Sequence, residues 1–185
     1  AAGNAVPAAQ SNYLGFGTGI VPPDCGFSLQ NRGLNFSLDP QSPNALGPGR
    51  RSYHTILPCL LTDASTGTLL ATLSNMGGFM QPQGHVQLVC RLVRERLCPQ
   101  EAIDAPRFCV LPAHPGTAPC GTAVALEDTW QPHVAEGLKA RGHDVRVVSG
   151  HDRVVVGRAQ AVVRTDAGVL WAGSDGRADG CAAGI

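Results

Sequence analysis

The order of its segments predicts an α+β fold: β-rich runs come first, two amphipathic helical patterns follow, and three further β-rich runs close the chain. A turn of composition Asp63-Ala-Ser-Thr-Gly67 joins two of the early runs, and Thr165-Asp-Ala-Gly168 joins two of the late ones. Antiparallel hairpins account for both, and nothing in the order calls for alternating βαβ units.

In chain order, Ala5 to Gln10 suits a short strand. The glycines and prolines that follow, from Gly15 to Pro23 and again from Pro40 to Gly49, exclude long helices before about residue 80. They make the Asp39 to Gly49 stretch a long surface loop. Ile56 to Leu61 and Thr68 to Leu73 form the first hairpin. From Pro82 to Leu97 the apolar residues Val86, Val89, Cys90, Val93 and Leu97 recur at three and four. That spacing predicts a helix with these residues inward and Arg91 and Glu95 outward. A second helix starts at Pro132, which suits a first-turn position, and stops at Gly142 behind a basic last turn. Asp144 to Val148, Arg158 to Arg164 and Gly168 to Gly173 are the closing strands. No compositional shift marks a domain boundary, so the 185 residues read as a single domain.

Fourteen basic residues balance fourteen acidic ones with no basic run, so the electrostatic footprint of a nucleic-acid or anionic-membrane partner is missing. Apolar stretches fall far short of the ~20 residues of a spanning helix. The seven cysteines are odd in number and irregularly spaced, which favours buried free thiols and a reducing compartment such as the cytoplasm. No Cys-x-x-Cys pair exists and no two histidines stand at i, i+4, so neither a zinc site nor another metal is expected. The opening Ala-Ala-Gly-Asn has neither Met nor a charged, apolar leader and reads as an internal start.

Gly15-Phe-Gly-Thr-Gly19 has the look of a phosphate loop, but Ile20-Val21-Pro22-Pro23 cannot supply the helix N-terminus that such a loop requires. It is expected to be a tight turn where backbone approaches backbone. Met76-Gly77-Gly78-Phe79 lies between a strand and a helix, where adjacent glycines let two N–H groups point into one concavity, as an oxyanion hole requires. Gln81, Gln83 and His85 are expected to be satisfied by local hydrogen bonds at the helix start. Arg107, Asp175 and Arg177 are expected to be structural ion pairs.

These segments, in order, resemble the small subunit of γ-glutamyltransferases: Gly3-Asn-Ala-Val6, Phe16-Gly-Thr-Gly-Ile20, Asn31 to Phe36, Pro43-Asn-Ala-Leu46, Met76-Gly-Gly78, Glu101 to Phe108, Gly142-His143 and Asp175-Gly-Arg177 with Asp179-Gly180. The resemblance covers the whole chain. It implies the N-terminal-nucleophile hydrolase fold, an αββα sandwich of which this is the C-terminal half, completed by a large subunit released from the same precursor by self-cleavage. It also implies a small-molecule amide substrate and no cofactor. The nucleophile is a threonine expected a short strand upstream of Ala1, its own amine acting as base. Ser11 corresponds to a hydroxyl that hydrogen-bonds that nucleophile, and Gly77 and Gly78 to the oxyanion hole.

Tyr13, Arg32 and Asn35 stand where the family holds the α-amino group of a γ-glutamyl substrate, and His54 and Thr55 where paired serines grip its α-carboxylate. A fixed cation in place of ammonium acceptors is unfavourable for a γ-glutamyl group and favours an acyl chain bearing a carboxylate. Gln30-Asn-Arg-Gly33, Tyr53-His-Thr55 and Met80 to His85 match a divergent branch of the family, the γ-glutamyltransferase-like and cephalosporin-acylase type. Two readings follow: an amidase working by acyl transfer, or a non-catalytic homologue that keeps the fold alone.

Overall fold

A computed structural model describes residues 3–112 and 123–184. They form two compact units, Ala1–Ala9 with Leu57–Ile185 and, separately, Gln10–Ile56, a division that composition does not mark.

The larger unit contains all the named strands. Strands β1 (Cys59–Thr62), β2 (Leu69–Met76), β6 (Arg158–Arg164) and β7 (Leu170–Ser174) make an antiparallel sheet in the order β1-β2-β6-β7. Both expected hairpins are present. In the first, Asp63 Oδ1 accepts the N–H groups of Ser65 at 3.0 Å and Thr66 at 2.8 Å. In the second, Gly168 at φ 79° closes the turn, with Thr165 N–H on the Val169 carbonyl at 2.9 Å. A second sheet has the order β3-β4-β5, from β3 (Phe108–Val110), β4 (Ala123–Glu127) and β5 (Asp144–Val148). Its β4–β5 pair is parallel, with α3 (Pro132–Ala140) as the crossover, so one βαβ unit sits in an otherwise antiparallel architecture. Helix α3 ends as its sequence predicts, on Gly142 at φ 88°.

Helix α1 (Met80–Val89) runs on into a π-helical turn, Cys90–Arg94. Its inner face is not the apolar stripe read from the sequence. Met80, Gly84, Gln87, Leu88 and Arg91 are buried, whereas Val86 and Val93 are exposed. Polar inward residues are possible because each meets backbone. Gln87 donates to the Phe108 carbonyl at 2.9 Å and accepts from its N–H at 3.0 Å, and Gln83 does the same at Val110, so two side-chain amides continue the edge of β3. Arg91 donates to the carbonyls of Ala102, Ala105 and Pro106, at the C-terminal end of α2 (Pro99–Asp104). That short helix went unread in the sequence, although Pro99 opens it and Cys98 with Glu101 forms a capping box.

Leu73, Ala159 and Ala161 of the four-stranded sheet pack on Leu88 of α1 and Ile103 of α2. Gly173 lets α2 approach β7, since a Cβ there would lie 2.8 Å from the Pro99 carbonyl carbon. A second cluster joins Met80, Cys109, Ala125 and Val156.

Two expectations need correction. Residues 5–10 join no ladder, consistent with Pro7 having no N–H to offer. Val6, Pro7 and Ala8 line a cleft with Thr72, Ser74 and Val162 instead. Of the six described cysteines, all free, only Cys109 is buried, and burial pushes its thiol up to about 11; Cys25 and Cys181 are exposed. No described helix is long and apolar enough to cross a membrane, and no three described His, Cys, Asp or Glu residues converge on a metal position.

The smaller unit is mostly turns. Its one helical element is a 3-10 turn, Arg32–Asn35. Side-chain amides take the place of a ladder: Asn35 donates to the Tyr53 carbonyl at 3.1 Å, and Asn44 bridges the Asn35 carbonyl at 2.5 Å and the Tyr53 N–H at 2.9 Å. The Gly15–Gly19 segment is the expected tight turn, with Thr18 N–H on the Leu29 carbonyl at 2.8 Å and Gly17 at φ 58° directly against that carbonyl.

Candidate active site

Strand β2 delivers Gly77 and Gly78 at its C-terminal end. Their φ angles, 133° and 60°, lie where side-chain-bearing residues rarely go. Both carbonyls point into the start of α1, accepting from the N–H groups of Met80 and Gln81 at 3.1 Å each. The N–H groups of Gly77 and Gly78 have no acceptor among the described residues. A strand that ends in two unclaimed donors, directly before a helix, can stabilise negative charge on an oxygen placed opposite them.

Behind this turn lies a buried charged network that sequence reasoning found only in part. Asn75, two residues before Gly77, is fully buried and accepts from Arg107 Nη1 at 2.8 Å. Arg107 is itself 0% exposed and pairs with Asp175. Asp175 accepts the Ala159 N–H at 2.6 Å, and Ala159 is the partner of Asn75 across β2 and β6. Glu127, also buried, takes Arg177 in a bidentate grip at 2.6 Å through each oxygen and accepts the Arg107 N–H at 2.7 Å. Arg107, Asp175 and Arg177 are thus the structural ion pairs expected. Asn75 and Glu127 complete them. The legible signal for Asn75 was an amide placed inside an apolar strand just before two glycines.

Gly84 and Gly157 frame Asn75, because a Cβ on either would strike its side chain. Burial alone would raise the Asp175 pKa, but the Arg107 guanidinium and the hydrogen bonds from Arg177, Arg107 and Ala159 outweigh it and hold the carboxyl below its ordinary value. A depressed carboxyl stabilises the fold fully above its unfolded pKa, about 4, and the contribution is lost as pH falls through the lower folded value. The thermal midpoint is therefore expected to drop on acidification below about pH 4, and Asp175→Asn to flatten that part of the profile.

Gln81 is satisfied at a distance rather than locally as expected, and Gln83 both locally, on the Phe79 carbonyl at 3.5 Å, and at a distance. Gln81 accepts from the distant Leu57 N–H at 3.0 Å, and Gln83 clamps Val110. His85 Nε2 is buried without a partner, and burial lowers its pKa.

In the smaller unit, Ser11, Tyr13, Arg32 and Thr55 come together. Arg32 is 6% exposed and donates to Thr55 Oγ1 at 2.8 Å and Ser11 Oγ at 2.9 Å. Its guanidinium carbon lies 5.5 Å from the centre of the Tyr13 ring. Ser11 Oγ also accepts the Tyr13 N–H at 3.1 Å, so both its lone pairs are engaged and only its own proton remains to be donated. Arg32, Ser11 and His54 line a cavity of about 610 Å³. His54 Nδ1 accepts the Ile56 N–H at 3.2 Å, which leaves the proton on Nε2. Asn35 is not among the lining residues; its amide is engaged by the Tyr53 carbonyl.

The α+β fold is that of the N-terminal-nucleophile hydrolases, shared with the solved structures on which the chain superposes. The chain belongs to the γ-glutamyltranspeptidase family, whose model matches residues 1–185. It is 37% identical over 182 residues to the oxamate amidohydrolase proenzyme of Klebsiella pneumoniae, covering 98% of this chain and 33% of that one. It is 36% identical over 183 residues to the glutathione hydrolase-like YwrD proenzyme of Bacillus subtilis, covering 99% and 34%. The cephalosporin acylase structure from Bacillus halodurans superposes with a TM-score of 0.82 at 44% identity, over 92% of this chain and 30% of that one. Identity to the glutathione hydrolase proenzyme of Escherichia coli is lower, 28% over 185 residues, in keeping with the divergent branch. The chain spans about a third of the length of the curated relatives it matches.

Proposed function

We propose that this chain is the small-subunit part of an N-terminal-nucleophile amidohydrolase or acyltransferase that acts on γ-glutamyl or related acyl amides. The observation that carries the reading is the pair of unclaimed N–H groups at Gly77 and Gly78. In this reading a threonine upstream of Ala1 attacks the amide carbonyl, and its own α-amine takes the proton. The carbonyl oxygen becomes the oxyanion that Gly77 and Gly78 receive. The proton passes to the departing amine, and water or a second amine then releases the acyl group from the threonine. Ser11, with only a proton left to give, donates to the nucleophile's oxygen. Tyr13, Arg32, Asn35, His54 and Thr55 belong to acyl recognition, Asn35 through its hold on Tyr53. The large subunit of the same precursor is the partner, consistent with relatives that are proenzymes about three times as long.

An amidase panel on the full-length precursor tests this, with γ-glutamyl, glutaryl and neutral acyl anilides sharing one leaving group. Release of the aniline from at least one of them is expected, and none from the 185 residues expressed alone, which lack the nucleophile. A correctly folded precursor inert to every member would leave the scaffold reading in its place.

A further inference from the structure

We infer that a basic pocket of the larger unit, outside the candidate active site, binds one phosphate-sized oxyanion, with Arg158 as the guanidinium that grips it. None of the acyl-transfer steps proposed above passes through this pocket.

The 3-10 turns Gly150–Val156, the first residue of β6 and the turn after β7 meet around a cavity of about 150 Å³. Arg153, Arg158, Arg177 and His151 line it, and no Asp or Glu does. The volume is well below the ~300 Å³ at which pockets for drug-sized ligands begin, so the occupant is a small ion or one end of a larger molecule.

The charges around the cavity do not cancel. Asp128 accepts from Arg153, Glu127 and Asp175 accept from Arg177, and Asp175 also pairs with Arg107. Those carboxylates answer for Arg107, Arg153 and Arg177 and leave none for Arg158. No described carboxylate lies within ion-pair distance of Arg158, and Asp152 and Asp179, which neighbour the lining in sequence, pair with no described cation.

Arg158 is also oriented. Its Nε donates to the Arg177 carbonyl at 2.9 Å, which fixes the plane of the guanidinium and leaves both Nη groups without an acceptor among the described residues. The two Nη groups form a fork that matches two oxygens of one anion. Arg177, whose carbonyl sets this orientation, is itself anchored by the bidentate grip of Glu127. Gly150 and Gly176 keep the mouth open, since a Cβ on either would meet nothing within 4 Å. Arg158 is exposed, so a solute reaches it directly. One unmatched charge, a free fork and further cationic walls suit a phosphate or sulfate dianion better than a monoanion. Because Arg158 pairs with Met76 across β2 and β6, such an ion ties the 3-10 turns and the turn after β7 to the strand end that carries Gly77.

Calorimetric titration of the full-length precursor, freed of phosphate, with inorganic phosphate tests the inference and needs no turnover. Saturable binding of one phosphate per molecule is expected, with acetate at least about tenfold weaker at equal ionic strength. The thermal midpoint should rise with phosphate concentration, as mass action requires. Arg158→Gln is expected to weaken phosphate at least about tenfold, and Arg50→Gln/Arg51→Gln, in the other cavity, to leave it unchanged. Should Arg158→Gln prove unstable in phosphate-free buffer, His151→Ala, an exposed residue of the same wall, is expected to weaken phosphate several-fold with the midpoint intact. Phenyl phosphate separates the two sources of the ligand: binding equal to that of the inorganic ion assigns the pocket to the phosphate end of an ester, and binding of the inorganic ion alone assigns it to the free ion. Absence of saturable phosphate binding, or binding that survives Arg158→Gln and His151→Ala or is lost in Arg50→Gln/Arg51→Gln, overturns the inference.

Discussion

Gly78→Val in the full-length precursor is expected to lower kcat by at least about a hundredfold while the protein still folds, since losing one oxyanion donor typically costs roughly 10²–10³ in kcat. The cause is not crowding. A Cβ at Gly78 meets nothing within 4 Å, but the residue sits at φ 60°, a conformation that a β-branched side chain strongly resists. Valine would relieve that strain by rotating the Gly77–Gly78 peptide, and the rotation turns an N–H away from the oxyanion. Gly77 is tighter, since its Cβ would lie 3.0 Å from that of Met80, so a variant there confounds packing with chemistry. The check is kcat and KM alongside the thermal midpoint: a large fall in kcat with a modest change in midpoint and KM marks lost transition-state stabilisation. Near-normal kcat in folded Gly78→Val protein places the oxyanion elsewhere.

Asp175→Leu is expected to cost about 3–5 kcal/mol of stability, the range found when one member of a buried pair is removed and the other is stranded. Here the stranded charge is Arg107, which is 0% exposed. The same substitution takes the acceptor from the Ala159 N–H, opposite Asn75 at the end of β2. Activity should therefore fall with stability, as the strand end that carries Gly77 and Gly78 loosens. Arg107→Met together with Asp175→Leu should lose less than the sum of the single changes, because neither charge is then left alone. Additive losses in a denaturation cycle would mean that the pair is not coupled.

The hairpins, α3 and the closing strands were legible because local chemistry decides them: turn residues at Asp63 to Gly67, Pro132 and Gly142 at the ends of a helix, and runs of β-branched residues. The inner face of α1 was not. Periodicity assigns valines inward, and here Gln83, Gln87 and Arg91 go inward instead, because they meet the edge of β3 and the last carbonyls of α2, partners that are distant in sequence. Helix α2 escaped notice because it is only six residues long and its cap is a cysteine. At the candidate site, Gly77 and Gly78 were readable as a motif, and Arg32 and Thr55 through the family resemblance. That Arg32 is gripped by Thr55 and Ser11 with no carboxylate beside it depends on a turn-rich segment held by side-chain amides, which no periodic pattern encodes.

The central claim is tested most directly by intact mass of the full-length protein before and after brief exposure to an acyl anilide. Two chains are expected, the smaller beginning with a threonine upstream of Ala1 and gaining the mass of the acyl group as aniline is released. A single uncleaved chain, or two chains of which the smaller gains no acyl mass while aniline appears, would contradict it.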